Sequence, residues 1–175
     1  DNGASSSSIV AATNFVRDWN NNPDNEAKIV SCNLSFGGGG FSQTSQNAYT
    51  DATNSGCTFA GAAGNSNVNS LHYPSAYENI IAVASVANGD VKSSFSNYGT
   101  WVDVSAAGSS IWNTYFTGPP GTANPNTYAS LSGTSMACPQ VAGLIALIKG
   151  NAPDLTPQEV ADQIMGTTDP IDDIN

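Results

Sequence analysis

Positive charge is nearly missing from this sequence: 4 Lys and Arg stand against 14 Asp and Glu over 175 residues, for a net charge of −10. The cations Arg17, Lys28, Lys92 and Lys149 are scattered, so no basic face exists to neutralise phosphates and a nucleic-acid partner is excluded. Charged residues of both signs make up 10%, well below the roughly 25% of an ordinary soluble domain. Long apolar runs are missing too. None approaches the roughly 18 residues that a membrane span requires, because Ser, Gly or Asn interrupts each one; no membrane partner is expected. Cys32, Cys57 and Cys138 lie far apart with no CxxC pair, which argues against a zinc site or a disulfide framework and leaves room for one bridge at most. Histidine occurs once, at position 72. Neither a basic segment nor an apolar one stands at Asp1, so a secretory leader is expected either to have been removed or to lie upstream.

The remaining composition points to a folded, exported chain. Hydrophobic residues at 39% exclude an acidic disordered tail, and the length suits one domain or part of one. A surface of Ser, Asn, Thr and Asp with little Lys fits a secreted, extracellular protein.

Periodicity gives the order of elements. Residues 5–21 read as a helix, with the serines at 5–8 as N-caps and Ile9, Ala12, Phe15, Val16 and Trp19 on one face. Ile29–Leu34 reads as a buried strand entering a glycine loop at 37–40. A helix over Ser42–Ser55 stops at Gly56, and Cys57–Ala62 is a second apolar strand. Strand, glycine loop, helix, strand is a βαβ unit, which implies a parallel sheet with right-handed crossovers. Ile80–Val86 is a third strand, Asn88-Gly89 a hairpin turn signal, and Val102–Val104 a short strand. Residues 117–127 form a Pro/Gly loop. From Ser135 to about Lys149 the chain reads as a long buried helix. Thr156, Pro157 and Glu159 open a last helix with a capping box.

Chemistry concentrates at Ser132-Gly133-Thr134-Ser135-Met136-Ala137. A serine at the first turn of a buried helix has an unpaired backbone N–H beside it and the positive helix end behind it, which suits a nucleophile whose attack creates an oxyanion. From the residues alone, Ser135 is either that nucleophile or the cap of a core helix.

Gly133-Thr134-Ser135-Met136-Ala137, followed by Pro139 and Val141-Ala142-Gly143, resembles the nucleophile motif of the subtilisin-like serine peptidases. Ile29–Gly38 resembles their substrate-binding strand and loop, and Ala62-Ala63-Gly64-Asn65 the segment that ends in an oxyanion-hole asparagine. Ser93-Ser94-Phe95-Ser96-Asn97-Tyr98-Gly99 is similar to the proteinase K branch. The resemblance covers residues 5–170. It implies a three-layer α/β sandwich with a mainly parallel central sheet and helices on both faces, incomplete in this chain. It also implies a protein or peptide substrate and no cofactor for catalysis. Ser135 would be the nucleophile and Asn65 an oxyanion donor; Thr134 either supports that hole or shapes the turn. Ser35-Phe36-Gly37 and Ala62-Ala63-Gly64 would form the walls of the primary specificity pocket, giving a preference for large apolar side chains, or would be strand ends trimmed for packing. His72 would sit near the pocket base. Asp103 matches a position that binds structural calcium in relatives; a solvated carboxylate is the alternative, since calcium wants six or more oxygens.

One part of the pattern has no match. The family's general base lies in a His-Gly-Thr segment, with an orienting Asp upstream, and neither occurs among these residues. The resemblance therefore implies that residues 1–175 are the C-terminal part of one peptidase domain, whose partner is the N-terminal half of that domain. The rival reading is an inactive subtilase-fold module that binds without turnover.

Overall fold

The computed structural model describes residues 4–115 and 127–171. Four parallel strands form the centre: β1 (Ser31–Leu34), β2 (Thr58–Ala62), β3 (Ile80–Val86) and β4 (Val104–Ala107), in the spatial order β1-β2-β3-β4. Both faces are covered. On one, α1 (Ser6–Asn21) and α2 (Gln43–Asn54) bury Val16, Tyr49 and Ala52 against Leu34, Cys57, Phe59 and Ile80. On the other, α3 (Thr134–Asn151) crosses all four strands. With α4 (Pro157–Gly166) it packs Val141, Ile145, Val160 and Ile164 on Ala60, Ala62, Ile81 and Val83. This is the expected three-layer α/β sandwich. Alternation explains the division: Phe59 and Ile80 point one way, Ala60 and Ile81 the other. Ile145, Val83 and Val160 have no exposed surface, and each such side chain stabilises the fold by about 1.5–3 kcal/mol.

Local signals account for the helix ends. Ser5 accepts from Ser8 N and Ser42 from Ser45 N. Gly56 stops α2 at φ +103°, which costs a glycine little. At α4, Glu159 N donates to Thr156 Oγ1, while Thr156 N and Thr156 Oγ1 lie 2.7 Å from Glu159 Oε2; the two bonds to the carboxylate, the backbone one foremost, hold the Glu159 carboxyl below its ordinary pKa. No helix among the described residues is long and apolar enough to cross a membrane.

Three features depart from the sequence pattern. The fourth strand begins at Val104, not Val102, because Val102 N closes a turn on Gly99 O and Asp103 is drawn to β3. Asn88-Gly89 does turn the chain, but a single antiparallel bridge, Val86 with Lys92, closes it. A two-stranded antiparallel ribbon, β5 (Ile111–Thr114) with β6 (Tyr128–Leu131), was not anticipated. Its strands are four residues each and mostly exposed, so neither carries a hydrophobic signal. The Pro/Gly loop falls outside the described residues apart from Thr127.

Candidate active site

The C-terminal ends of parallel strands present loops and free backbone groups at one edge of the sheet, where ligands bind in open α/β sheets. β1 runs out into Ser35-Phe36-Gly37, β2 into Ala63-Gly64-Asn65, and the N-terminus of α3 meets both.

Helix α3 begins at Thr134 with Gly133 as N-cap and no side-chain cap. Ser135 is therefore the second residue of the helix, not its cap, which removes the structural alternative for its hydroxyl. Its N–H is one of the orphan donors of a helix start. Among the described residues Ser135 Oγ donates only to Ser35 O, at 3.3 Å, and an amide carbonyl is far too weak a base to take its proton. Pro139 shapes the same residue from below. Having no N–H, it leaves Ser135 O without its helical donor, and Ser35 Oγ donates to that oxygen at 3.0 Å instead. Ser35 and Ser135 thus hold each other by two hydrogen bonds.

Asn65 is exposed but its amide is oriented. Its Oδ1 accepts from Thr134 N at 2.9 Å and from Thr134 Oγ1 at 3.0 Å. A backbone N–H can only donate, so the oxygen must face Thr134, and Nδ2 is left free to donate into the cleft. Thr134 Oγ1 in turn accepts from Gly64 N at 3.1 Å, and this closes a ring between the end of β2 and the start of α3. Thr134 is almost fully buried. The sequence left its role open between supporting the hole and shaping the turn; the hydrogen bonds place it on Asn65. Asn97, unassigned by the sequence reading, clamps the same loop. Its Nδ2 donates to Ala63 O at 2.8 Å and its Oδ1 accepts from Ser66 N at 3.0 Å. Ser96-Asn97-Tyr98-Gly99 was its only sequence signal. Thr134→Val keeps the backbone bond to Asn65 but loses the hydroxyl bond to Asn65 Oδ1, worth about 1 kcal/mol, and the one accepted from Gly64 N. In the complete domain loss of the bond to Asn65 should lower kcat about fivefold with KM steady. An unchanged kcat would show that Thr134 does not orient the amide.

The proposed pocket residues separate into two groups. Gly37, Gly64 and His72 converge, while Ser35 is bonded to Ser135. A Cβ on Gly37 would run into the His72 ring, and one on Gly64 would lie 3.1 Å from His72 Cγ and 2.5 Å from Asn97 Nδ2. The imidazole therefore stands between the two walls, and its backbone is held by Ser75 Oγ and Ala76 N donating to His72 O. Desolvation pushes the pKa of His72 below its ordinary value. Phe36, Ala62 and Ala63 contribute no side chain there. Phe36 lines a cavity of about 460 Å³ with Ile9, Gly37, Tyr49 and Tyr77. Ala62 lies in the core under α3, and Ala63 has no exposed surface.

Asp103 is engaged elsewhere. Its Oδ2 accepts from Ala82 N at 2.7 Å while Asp103 N donates to Ala82 O. Burial raises its pKa and this backbone bond opposes the rise. Among the described residues no three His, Cys, Asp or Glu side chains stand where they could hold a metal ion.

The arrangement, a serine at the start of a buried helix beside an oriented amide on a parallel α/β sheet, is the fold and layout of subtilisin-like serine proteinases. The chain belongs to the subtilase family: the family model for peptidase S8 matches residues 1–173. It is 47% identical over 149 residues to an extracellular protease of Xanthomonas campestris pv. campestris, covering 82% of this chain and 25% of that protein. It is 44% identical to thermitase of Thermoactinomyces vulgaris over the same length, 82% of this chain and 50% of thermitase. A solved protease from Pseudoalteromonas arctica superimposes with a TM-score of 0.85 at 34% identity, over 97% of this chain and 53% of that one. A cold-adapted subtilisin-like serine proteinase gives 0.82 at 31% identity, over 98% and 59%. The chain thus spans between a quarter and about three fifths of these relatives.

Proposed function

We propose that residues 1–175 form the C-terminal part of a secreted subtilisin-like serine endopeptidase, which cuts peptide bonds in proteins through an acyl-enzyme on Ser135. The oriented Asn65 amide beside Ser135 carries the reading. Ser135 Oγ attacks the peptide carbonyl carbon while its proton passes to a histidine supplied, with its orienting aspartate, by the N-terminal half of the same domain. Charge developing on the carbonyl oxygen is met by Asn65 Nδ2 and Ser135 N–H. Collapse expels the amine, which takes the proton back from that histidine; water, giving its proton to the same histidine, then attacks the acyl-enzyme, and collapse releases the acid as Ser135 Oγ recovers the proton. No step needs a cofactor. The backbone after β1 pairs with extended substrate as an added strand.

Two surfaces support a partner half. β1 is an edge strand, whereas β2 is paired on both sides. Along the open edge of β1 a cavity of about 520 Å³ is lined by Ala12, Val16, Leu34 and Phe59. Helix α3 also leaves Leu144 and Leu147 exposed, at 42% and 73%. Apolar edges and patches of this kind are covered in working folds. Co-purification of natural material with a segment carrying His-Gly-Thr tests the reading; a chain that turns over peptides with no such segment overturns it.

The His72 ring between Gly37 and Gly64 supports a different specificity from that expected of the small walls alone. Small walls alone leave a slot for a large side chain, but the His72 ring stands in that slot. Small residues just before the cleaved bond should be favoured over Phe or Leu. His72→Gly should raise kcat/KM for Phe about 10–100-fold, the scale on which apolar pockets discriminate by size. Because desolvation lowers the pKa of His72, the imidazolium that could accept an acidic side chain forms only below about pH 6.5. The same shift means the unfolded chain binds this proton more readily, so His72 destabilises the fold as pH drops through that range. Peptide-library profiles at pH 5 and pH 8 check both; a parent that already prefers Phe would refute the placement.

A further inference from the structure

We propose that Cys32 and Cys57 are joined as a disulfide in the mature protein, tying β1 to the residue that leads into β2. The three cysteines allow three pairings, and the fold selects one. Cys32 lies opposite Phe59 in the β1–β2 register, and Cys57 precedes Phe59 by two residues, so all three side chains point to the same face of the sheet. There the Cys57 and Cys32 sulfurs lie 3.5 Å apart. Bringing them to the roughly 2.05 Å of a bond needs about 1.5 Å of movement, shared between two χ1 rotations. Cys57 has no exposed surface, and Cys32 is half-buried on the wall of the cavity beside β1. Cys138 is buried on the opposite face, under α3, with Val141 and Ile145. Burial pushes its thiol pKa up to about 11, and it remains a free thiol. Neither Cys32 nor Cys57 has a part in the chemistry proposed for Ser135.

The cross-link closes a loop that contains the substrate-pairing segment at 35–37 and all of α2. It also joins the two strands that carry Ser35 and Asn65, so it acts on the stability of the site frame, not on the reaction. Formation removes one hydrogen from each sulfur. Two electrons and two protons pass to a disulfide donor, which leaves as a dithiol; oxidising compartments supply such donors. In vivo the bond thus rests on the secreted reading. The geometry is tested separately, in vitro.

The complete domain is folded in a glutathione redox buffer poised as in an oxidising compartment, then denatured in iodoacetamide with and without prior reduction. No Lys or Arg lies between Lys28 and Lys92, so trypsin leaves both cysteines on one peptide. Digestion at Phe36, Phe41 and Tyr49 separates them. Without reductant, Cys138 alone should be alkylated, and a linked Cys32–Cys57 peptide two hydrogens lighter than its parts should appear. With reductant all three should alkylate and the melting temperature should fall by several degrees. Cys57→Ala should leave Cys32 alkylated without reductant and lower the melting temperature similarly. Alkylation of both Cys32 and Cys57 in unreduced protein, or a link from either to any other cysteine, overturns the proposal. A bond that forms in the buffer but is missing from natural material would reject the secreted reading and keep the geometry.

Discussion

Residues 1–175 alone should react with a fluorophosphonate no faster than their Ser135→Ala variant. A serine hydroxyl needs a base within hydrogen-bond reach, and among the described residues Ser135 Oγ meets only the carbonyl of Ser35. The one histidine is packed between Gly37 and Gly64, with its pKa lowered. Mixing with the upstream segment should restore labelling, and restore compactness by covering β1 and the outer face of α3. Loss of a triad member costs about 10⁴–10⁶ in kcat in subtilisin; that magnitude belongs to the relative. Measured on the chain, the mixture and the Ser135→Ala control, labelling also separates the rival readings. An inactive module stays unlabelled in the mixture. Rapid Ser135-dependent labelling of the chain alone would move His72 into the mechanism.

Replacing Asn65 by Ala in the complete domain should lower kcat by about 10²–10³ and leave KM nearly unchanged. The size again comes from subtilisin, where one such donor was removed; the direction comes from this geometry. Asn65 Nδ2 makes no hydrogen bond among the described residues, so the ground state loses nothing that substrate binding uses. Its Oδ1 is pinned by Thr134, and thus the donor is already aimed when charge develops on the carbonyl oxygen. Asn65→Asp is an informative companion: it keeps the acceptor for Thr134 but replaces the donor with a negative charge, and should be at least as damaging. Equal turnover of parent and Asn65→Ala on a peptide amide would remove Asn65 from the reaction.

Local patterns reached as far as their own span. The capping box at Thr156 and Glu159 is written within four residues, and α4 starts where it says. β3 runs from Ile80 to Val86 because that run is apolar apart from Ser85, whose backbone N–H donates to Ser96 Oγ. The β5–β6 ribbon was invisible for the opposite reason: Trp112 and Tyr128 are exposed, and nothing there alternates into a core. Within the site, Ser135 and Asn65 were legible through the motif. The bonds that orient them were not, since Thr134 and Asn65 are 69 residues apart. The resemblance put His72 near the pocket base, but sequence did not show that its ring stands between Gly37 and Gly64.

Spatial order in the central sheet repeats order along the chain, each strand pairing in parallel with the one made just before it. Every pairing therefore closes one crossover, and the cost of loop closure is met in small instalments. On a ribosome, β2 can be added to β1, β3 to β2 and β4 to β3 as each emerges. The exception is the outer edge of β1. A companion strand encoded upstream would already have been synthesised when β1 appears, so the edge would be shielded from its first moment. Supplied later as a separate chain, the same strand must find that edge by diffusion. Reassembly from two pieces should then depend on concentration, while biosynthesis of one continuous chain should not.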